Sequence, residues 1–192
     1  IVSAPSGAGK TTLCERLLAE TPGMERSISC TTRSPRGNEV DGKAYHFLSL
    51  TEFERRVAAG EFLEHAVVHG NRYGTLRKPV EAVLASGRSI MMVIDVQGAA
   101  QVRQSVKAAG GVLKRSYVDV FIAPPSLELL RERLVRRNED APEVIERRVV
   151  NARGEMDQQG EYRYRVVNDD LETAYQHFKA IVHAERCRCD VD

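Results

Sequence analysis

The sequence predicts an α/β protein whose mostly parallel sheet is flanked by helices, and three observations predict it. Short runs rich in Val and Ile alternate with longer amphipathic runs along the 192 residues, the pattern of strands joined by helical crossovers. A glycine-rich stretch separates the first apolar run from the first helical one. With 42% hydrophobic and 29% charged residues the chain can bury a core, and its length suits one domain with insertions.

Strands are expected at Ile1 to Ser3, Ser89 to Ile94, Tyr117 to Ile122 and Arg165 to Val167. Helical spacing predicts a helix over Lys10 to Glu20, through Leu13, Leu17 and Leu18, and another over Leu171 to Glu185, through Ala174, Tyr175, Phe178, Ile181 and Val182. Two segments break this rhythm. From about Cys30 to Thr75 small strands, Ala44 to Leu48 and Glu61 to Val68, flank a short helix that Thr51-x-x-Glu54 would open as a capping box and Gly60 would stop. This is an inserted α+β lobe. From Ser126 to about Gly160 two helical patterns, Leu127, Leu130, Leu134 and then Val144, Ile145, Val149, Ala152, Met156, are joined by a polar stretch over 138–142. An arginine-studded helical hairpin of this kind can work as a lid.

Charge and composition exclude several function classes. The 28 Lys and Arg against 27 Asp and Glu leave a formal charge of +1, so no broad basic field exists to capture nucleic acid or an anionic membrane. Six Tyr, five Phe and no Trp are too few for a row of base-stacking platforms. No apolar run approaches the roughly 20 residues of a membrane helix. No basic leader followed by an apolar segment reads as a signal peptide, and the chain opens on Ile1 without Met, so native residues are expected before it. Cys14, Cys30, Cys187 and Cys189 form no framework of spaced pairs and read as reduced thiols of a cytoplasmic protein. His183, Cys187 and Cys189 have metal-like spacing but no fourth ligand nearby.

The residues richest in chemistry are Ala4-Pro5-Ser6-Gly7-Ala8-Gly9-Lys10-Thr11-Thr12. A glycine-rich loop between a strand and a helix N-terminus turns backbone N–H groups onto phosphate oxygens. Lys10 would reach the β- and γ-phosphates and the Thr11 hydroxyl would ligate Mg²⁺. Ala4 stands where the strict pattern has glycine. Asp95, ending the apolar run Ser89 to Ile94, either orients a metal-bound water or the phosphate acceptor, or caps the helix that follows.

The inserted lobe points to the acceptor. GTPases read guanine with an N-K-x-D element, and this sequence has none. Arg33 and Arg36 flank a turn and can fork a monophosphate, although two arginines three apart also suit a solvated surface. Tyr45 and Tyr73 can each add a phenolic hydrogen bond. In the strand after Gly60, period-two alternation would set Phe62, Glu64, Ala66 and Val68 on one face. A carboxylate among apolar neighbours needs donors. Guanine offers two adjacent ones, N1–H and the 2-amino group, with Ser29 able to donate to its O6; a strand-edge Glu reaching solvent or an internal Arg is the alternative.

These motifs, with Gly42 to Tyr45, Glu61 to Glu64, Tyr73-Gly74, Ile94-Asp95-x-Gln97-Gly98, Ile122 to Ser126 and Val167 to Asp170, resemble the guanylate kinase family across nearly the whole chain. The resemblance implies a P-loop fold in one domain: a core over 1–29, 76–125 and 161–192, a GMP-binding insertion over 30–75 and a lid over 126–160. It implies transfer of the γ-phosphoryl group from ATP to GMP with Mg²⁺, by a monomer or homodimer. On it, Arg33, Arg36, Tyr45 and Tyr73 hold the GMP phosphate, and Ser29, Glu64, Thr75 and Asp95 lie near its base and ribose. Ala4 to Thr12 cradle ATP, Asn168 lies near the adenine, and Arg133, Arg137 and Arg148 close on the transferring group; Lys10, Arg36, Arg137 and Arg148 are the catalytic set. Val93 departs from an acid common in relatives, Asn138 from a glycine after the lid arginine, and the stretch Lys107 to Ser116 looks longer than usual. Two rival readings are a scaffold-type domain that binds phosphopeptides, opposed by the intact Gly7 to Thr11 and the lid arginines, and a kinase of sugar phosphates, opposed by Ser29 with Glu64.

Overall fold

The computed structural model describes residues 1–68, 70–109, 111–137 and 140–189. In chain order its elements are β1 (Val2–Ser3), α1 (Lys10–Glu20), β2 (Met24–Arg26), β3 (Cys30–Thr31), β4 (His46–Phe47), α2 (Leu50–Ala58), β5 (Phe62–Val68), β6 (Asn71–Leu76) and α3 (Arg77–Ala85). Then follow β7 (Ser89–Met91), α4 (Val96–Ala109), α5 (Gly111–Arg115), β8 (Val120–Ala123), α6 (Leu127–Arg137), α7 (Pro142–Asp157), β9 (Tyr164–Val167) and α8 (Leu171–Arg186). The chain divides into two compact units, one of Ile1–Pro22, Val93–Val96 and Val118–Asp192, the other of Gly23–Met92 and Gln97–Tyr117. Among the described residues no helix is long and apolar enough to cross a membrane.

The first unit is built on a parallel sheet of order β1-β8-β9, with Val93 bridging the far side of Val2. Parallel strands covered by helices must be apolar on both faces, and Val120, Phe121, Ile122 and Ala123 of β8 are all buried. Helix α1 buries Leu13, Cys14 and Leu17 and packs on α8, which buries Ala174, Tyr175 and Phe178. Arg16 stacks 3.7 Å over the Tyr175 ring while the Tyr175 hydroxyl donates to Glu20 at 2.6 Å. Helices α6 and α7 pack as a hairpin through Leu130, Leu134, Ile145 and Ala152. Pro142 begins α7, where its missing N–H costs nothing.

The second unit holds a parallel pair β2-β7 and a four-stranded sheet of order β4-β3-β6-β5. Helix α2 lies on the latter, with Phe53 stacked on Phe62 at 4.5 Å beside Cys30. Its cap corrects the expected one. Ser49, not Thr51, is the cap, two residues earlier along the chain, and accepts from the Glu52 N–H at 3.1 Å, while Gly60 follows the helix end at φ 67 as expected.

A second correction concerns β5. A bulge pairs Phe62 with Leu76 but Glu64 with Thr75, so two residues advance on β5 against one on β6. Cross-strand partners share a face. Phe62 therefore turns to the α2 side with Leu76, and Glu64 goes with Thr75, Ala66 and Tyr73 to the other. Gly74 is required here, because a Cβ would stand 2.8 Å from the Phe62 ring and 2.9 Å from the Glu64 carbonyl oxygen. β5 is an edge strand, and Gln101 of α4 covers its free groups, accepting from His65 N–H at 3.1 Å and donating to His65 C=O at 2.6 Å. The stretch Lys107 to Ser116 contains the end of α4 and helix α5, which packs on α3 with Leu113 buried.

Candidate functional site

The first unit carries the phosphate loop. β1 ends at Ser3, α1 begins at Lys10, and Gly9 takes the N-cap position at φ 87, a left-handed conformation open to glycine at no steric cost. A Cβ on Gly9 would also collide with the Asn168 side chain, whose amide donates to the Ala8 carbonyl at 2.8 Å. Gly7, at φ 93, lies against α6, where a Cβ would meet Leu130 and Leu134 at 3.0 Å. The loop is thus fitted to the α6–α7 hairpin and to the end of β9. Lys10 donates to the Ile94 carbonyl at 3.3 Å and Ser3 to the Asp95 carbonyl at 3.4 Å, which brings Asp95 into the same unit. Thr11 is exposed in the first turn of α1, where the helix N-terminus favours anions.

The hairpin arginines are held individually. Arg133 donates to the carbonyls of Asn168 at 2.9 Å and Asp169 at 3.1 Å. Arg148 donates to the Ser6 hydroxyl at 3.3 Å and pairs with Asp140 at 3.0 Å. Arg137 is exposed at the end of α6. Asn138 lies outside the described residues.

The second unit brings together residues expected at the acceptor. Glu64 is 4% exposed and accepts from the Thr75 hydroxyl at 2.7 Å, which lies 3.2 Å from the Ser29 hydroxyl. Ser29, Glu64 and Thr75, distant in sequence, form one polar line on the face opposite α2. On the same sheet the Arg33 guanidinium lies 5.5 Å from the Tyr45 ring centre, and the Tyr45 and Tyr73 rings are 5.9 Å apart. Glu39 first, and Tyr73 after it, help hold the proton on Arg33. Arg36 is exposed.

Three carboxylates absent from the sequence expectations join these groups. Glu39 pairs with Arg33 at 2.9 Å, and Asp140 with Arg148. Glu155 shares a face of α7 with Arg148 and Ala152, at spacings of seven and three residues. Burial lifts its carboxyl from an ordinary 4.5 to about 7; Lys10 opposes that rise and Asp95 adds to it. The folded protein then binds more protons than the unfolded chain between about pH 4.5 and pH 7, so this group's contribution to stability falls as pH rises through that window. Glu155→Gln is expected to raise the thermal midpoint at about pH 8 by about 2–4 °C, discounted for a half-exposed group, and to leave it unchanged at about pH 4. Melting curves at the two pH values check this; an equal shift at both would exclude the ionisation as its cause.

Comparison with known proteins identifies the family. The family model described as guanylate kinase matches residues 1–185. A guanylate kinase of Clostridium perfringens is 45% identical over 190 residues, covering 99% of this chain and 84% of that protein. One from Symbiobacterium thermophilum is 47% identical over 188 residues, covering 98% and 85%. The crystal structure of guanylate kinase from Anaplasma phagocytophilum superposes with a TM-score of 0.74 at 33% identity, covering 98% of this chain and 85% of that one.

Proposed function

The chain belongs to the guanylate kinase family and is a P-loop kinase of the ATP:GMP phosphotransferase type, and we propose which of its residues carry that reaction. The line Ser29–Thr75–Glu64 is the observation that supports the guanine assignment most strongly. A buried carboxylate beside two hydroxyls matches guanine N1–H, the 2-amino group and O6, and adenine lacks that donor pair. Arg33, Tyr45 and Tyr73 on the same sheet then take the GMP phosphate, with Arg36 completing the fork.

For ATP, the backbone of Ala4 to Thr12 wraps the phosphates, Lys10 takes the β- and γ-oxygens, Asn168 lies toward the adenine, and Arg133 joins the lid arginines that close on the transferring group. Phosphoryl transfer needs little covalent help from the protein. Arg36, Arg137 and Arg148 offset the repulsion between two anionic substrates and the charge spreading over the transferring group. Asp95 is assigned to orienting the acceptor.

Among the described residues no group of three or more His, Cys, Asp or Glu could hold a metal. Mg²⁺ prefers water and substrate phosphates to an all-protein cage, and the Thr11 hydroxyl, exposed in the first turn of α1, would be one protein ligand. The cation supplies neutralisation of the phosphate charge. All four cysteines are free thiols, which supports a cytoplasmic setting.

A coupled ADP-release assay across the four nucleoside monophosphates, with and without Mg²⁺, tests this reading. ADP release is expected with GMP and Mg²⁺ and to be at background with AMP, CMP and UMP. Equal rates with AMP would sink the guanine assignment.

A further inference from the structure

We propose that Glu39 is a positioning residue of the acceptor site, a carboxylate that joins the side chain of Arg33 to the backbone of Arg36 and so sets both arginines for a phosphate. The inference rests on the assignment of that site to GMP. One Glu39 oxygen accepts from Arg33 Nη2 at 2.9 Å and the other from the Arg36 N–H at 2.8 Å. The Glu39 N–H in turn donates to the Arg36 carbonyl at 3.0 Å, closing a turn through Gly37 at φ 50. A turn residue and its side chain thus grip the same peptide from both ends.

The donor count separates positioning from competition. A guanidinium has five N–H donors. Glu39 engages one on Nη2 and the Ser34 carbonyl engages one on Nη1 at 2.7 Å. The Arg33 backbone is fixed as well, its N–H donating to the Thr31 hydroxyl at 3.1 Å. Glu39 touches Arg36 through the main chain and leaves that guanidinium, which is exposed, for a ligand. The Arg33 side chain is only 10% exposed, so a carboxylate beside it also balances a charge that burial would otherwise penalise. The guanidinium holds the Glu39 carboxyl below the usual carboxylate range, with the Arg36 N–H acting the same way, so it stays ionised at neutral pH.

Both Glu39 oxygens must accept. Glutamine offers one acceptor and one donor, so Glu39→Gln must abandon either Arg33 or the Arg36 N–H. Glu39→Asp keeps two acceptors on a shorter stem. Binding of GMP and of guanosine to the full chain, measured by calorimetry, separates the phosphate contribution from that of the base. In Glu39→Gln, GMP affinity is expected to fall about ten- to a hundredfold with guanosine affinity unchanged. Glu39→Asp is expected to recover part of the loss. In turnover the KM for GMP should rise and kcat should fall with it, since Arg36 also serves the transferring group, while the KM for ATP stays near wild type.

Glu39→Gln binding GMP as tightly as wild type, or more tightly, would overturn the inference and make the carboxylate a bystander or a competitor. Equal losses for GMP and guanosine would overturn it too, as a folding support and no more. If the wild-type protein binds GMP no better than guanosine, the assignment of the phosphate site fails and the inference with it. A wild-type preference for GMP that survives intact in Glu39→Gln defeats the inference alone.

Discussion

Replacing Lys10 with alanine is expected to lower turnover by on the order of 10³-fold or more, with a thermal midpoint close to that of the wild-type protein. The size of the effect follows from where the charge sits. Lys10 is the first residue of α1, half-buried, and its ammonium donates to the Ile94 carbonyl at 3.3 Å. It is not part of the apolar core, which α1 enters through Leu13, Cys14 and Leu17. Its removal therefore takes away a cation at the phosphates and leaves the packing of the helix alone. Lysine is a point charge with rotatable donors and arginine a planar fork, so Lys10→Arg is not expected to rescue. GMP binding should be unchanged, since Ser29, Glu64, Thr75 and Arg33 lie in the other compact unit. Single-turnover ADP release and GMP titration of the variant check both halves; parallel loss of the two would point to unfolding.

Much of this was legible in the sequence because it is local. The phosphate loop is nine contiguous residues whose glycines must take left-handed angles, and helix spacing fixes α1 at Lys10–Glu20, as observed. Glu64 stood out because a charge interrupts an apolar alternation, and it is indeed buried. The period-two reading nevertheless misassigned Phe62. A bulge is a difference between two paired strands, and β6 carries too little apolar alternation to announce the register. The short strands β2, β3 and β7 are held by their neighbours and have weak patterns of their own.

The supporting carboxylates were hidden for a related reason. Glu39, Asp140 and Glu155 sit in turns or on a polar helix face, where a lone acid is unremarkable. Their roles come from partners fixed by tertiary structure: Arg33 and the Arg36 N–H, Arg148 with Ser6, and Lys10 with Asp95. Sequence finds groups that touch a ligand through their motifs, and misses those that hold the motifs in place.

Glu64→Gln is expected to narrow the preference for GMP over AMP by about 10²–10³-fold in kcat/KM, from both sides at once. The carboxylate is 4% exposed, and the Thr75 hydroxyl already donates to it at 2.7 Å with Ser29 beyond at 3.2 Å. On the proposed assignment the carboxylate also accepts from guanine N1–H and the 2-amino group. Glutamine keeps the size and the Thr75 hydrogen bond but turns one acceptor into a donor, so one guanine donor faces another and GMP loses affinity. Adenine presents an acceptor at N1, which the new amide can satisfy, so AMP gains. Because a buried carboxylate costs desolvation in the ligand-free protein, the substitution should not lower its thermal midpoint. Arg33, Tyr45 and Tyr73 are untouched, so the phosphate contribution, read as the ratio of GMP to guanosine affinity, should stay constant. Competition between GMP and AMP in one assay gives the ratio directly. A variant that keeps the wild-type ratio would remove Glu64 from base recognition, whatever its burial.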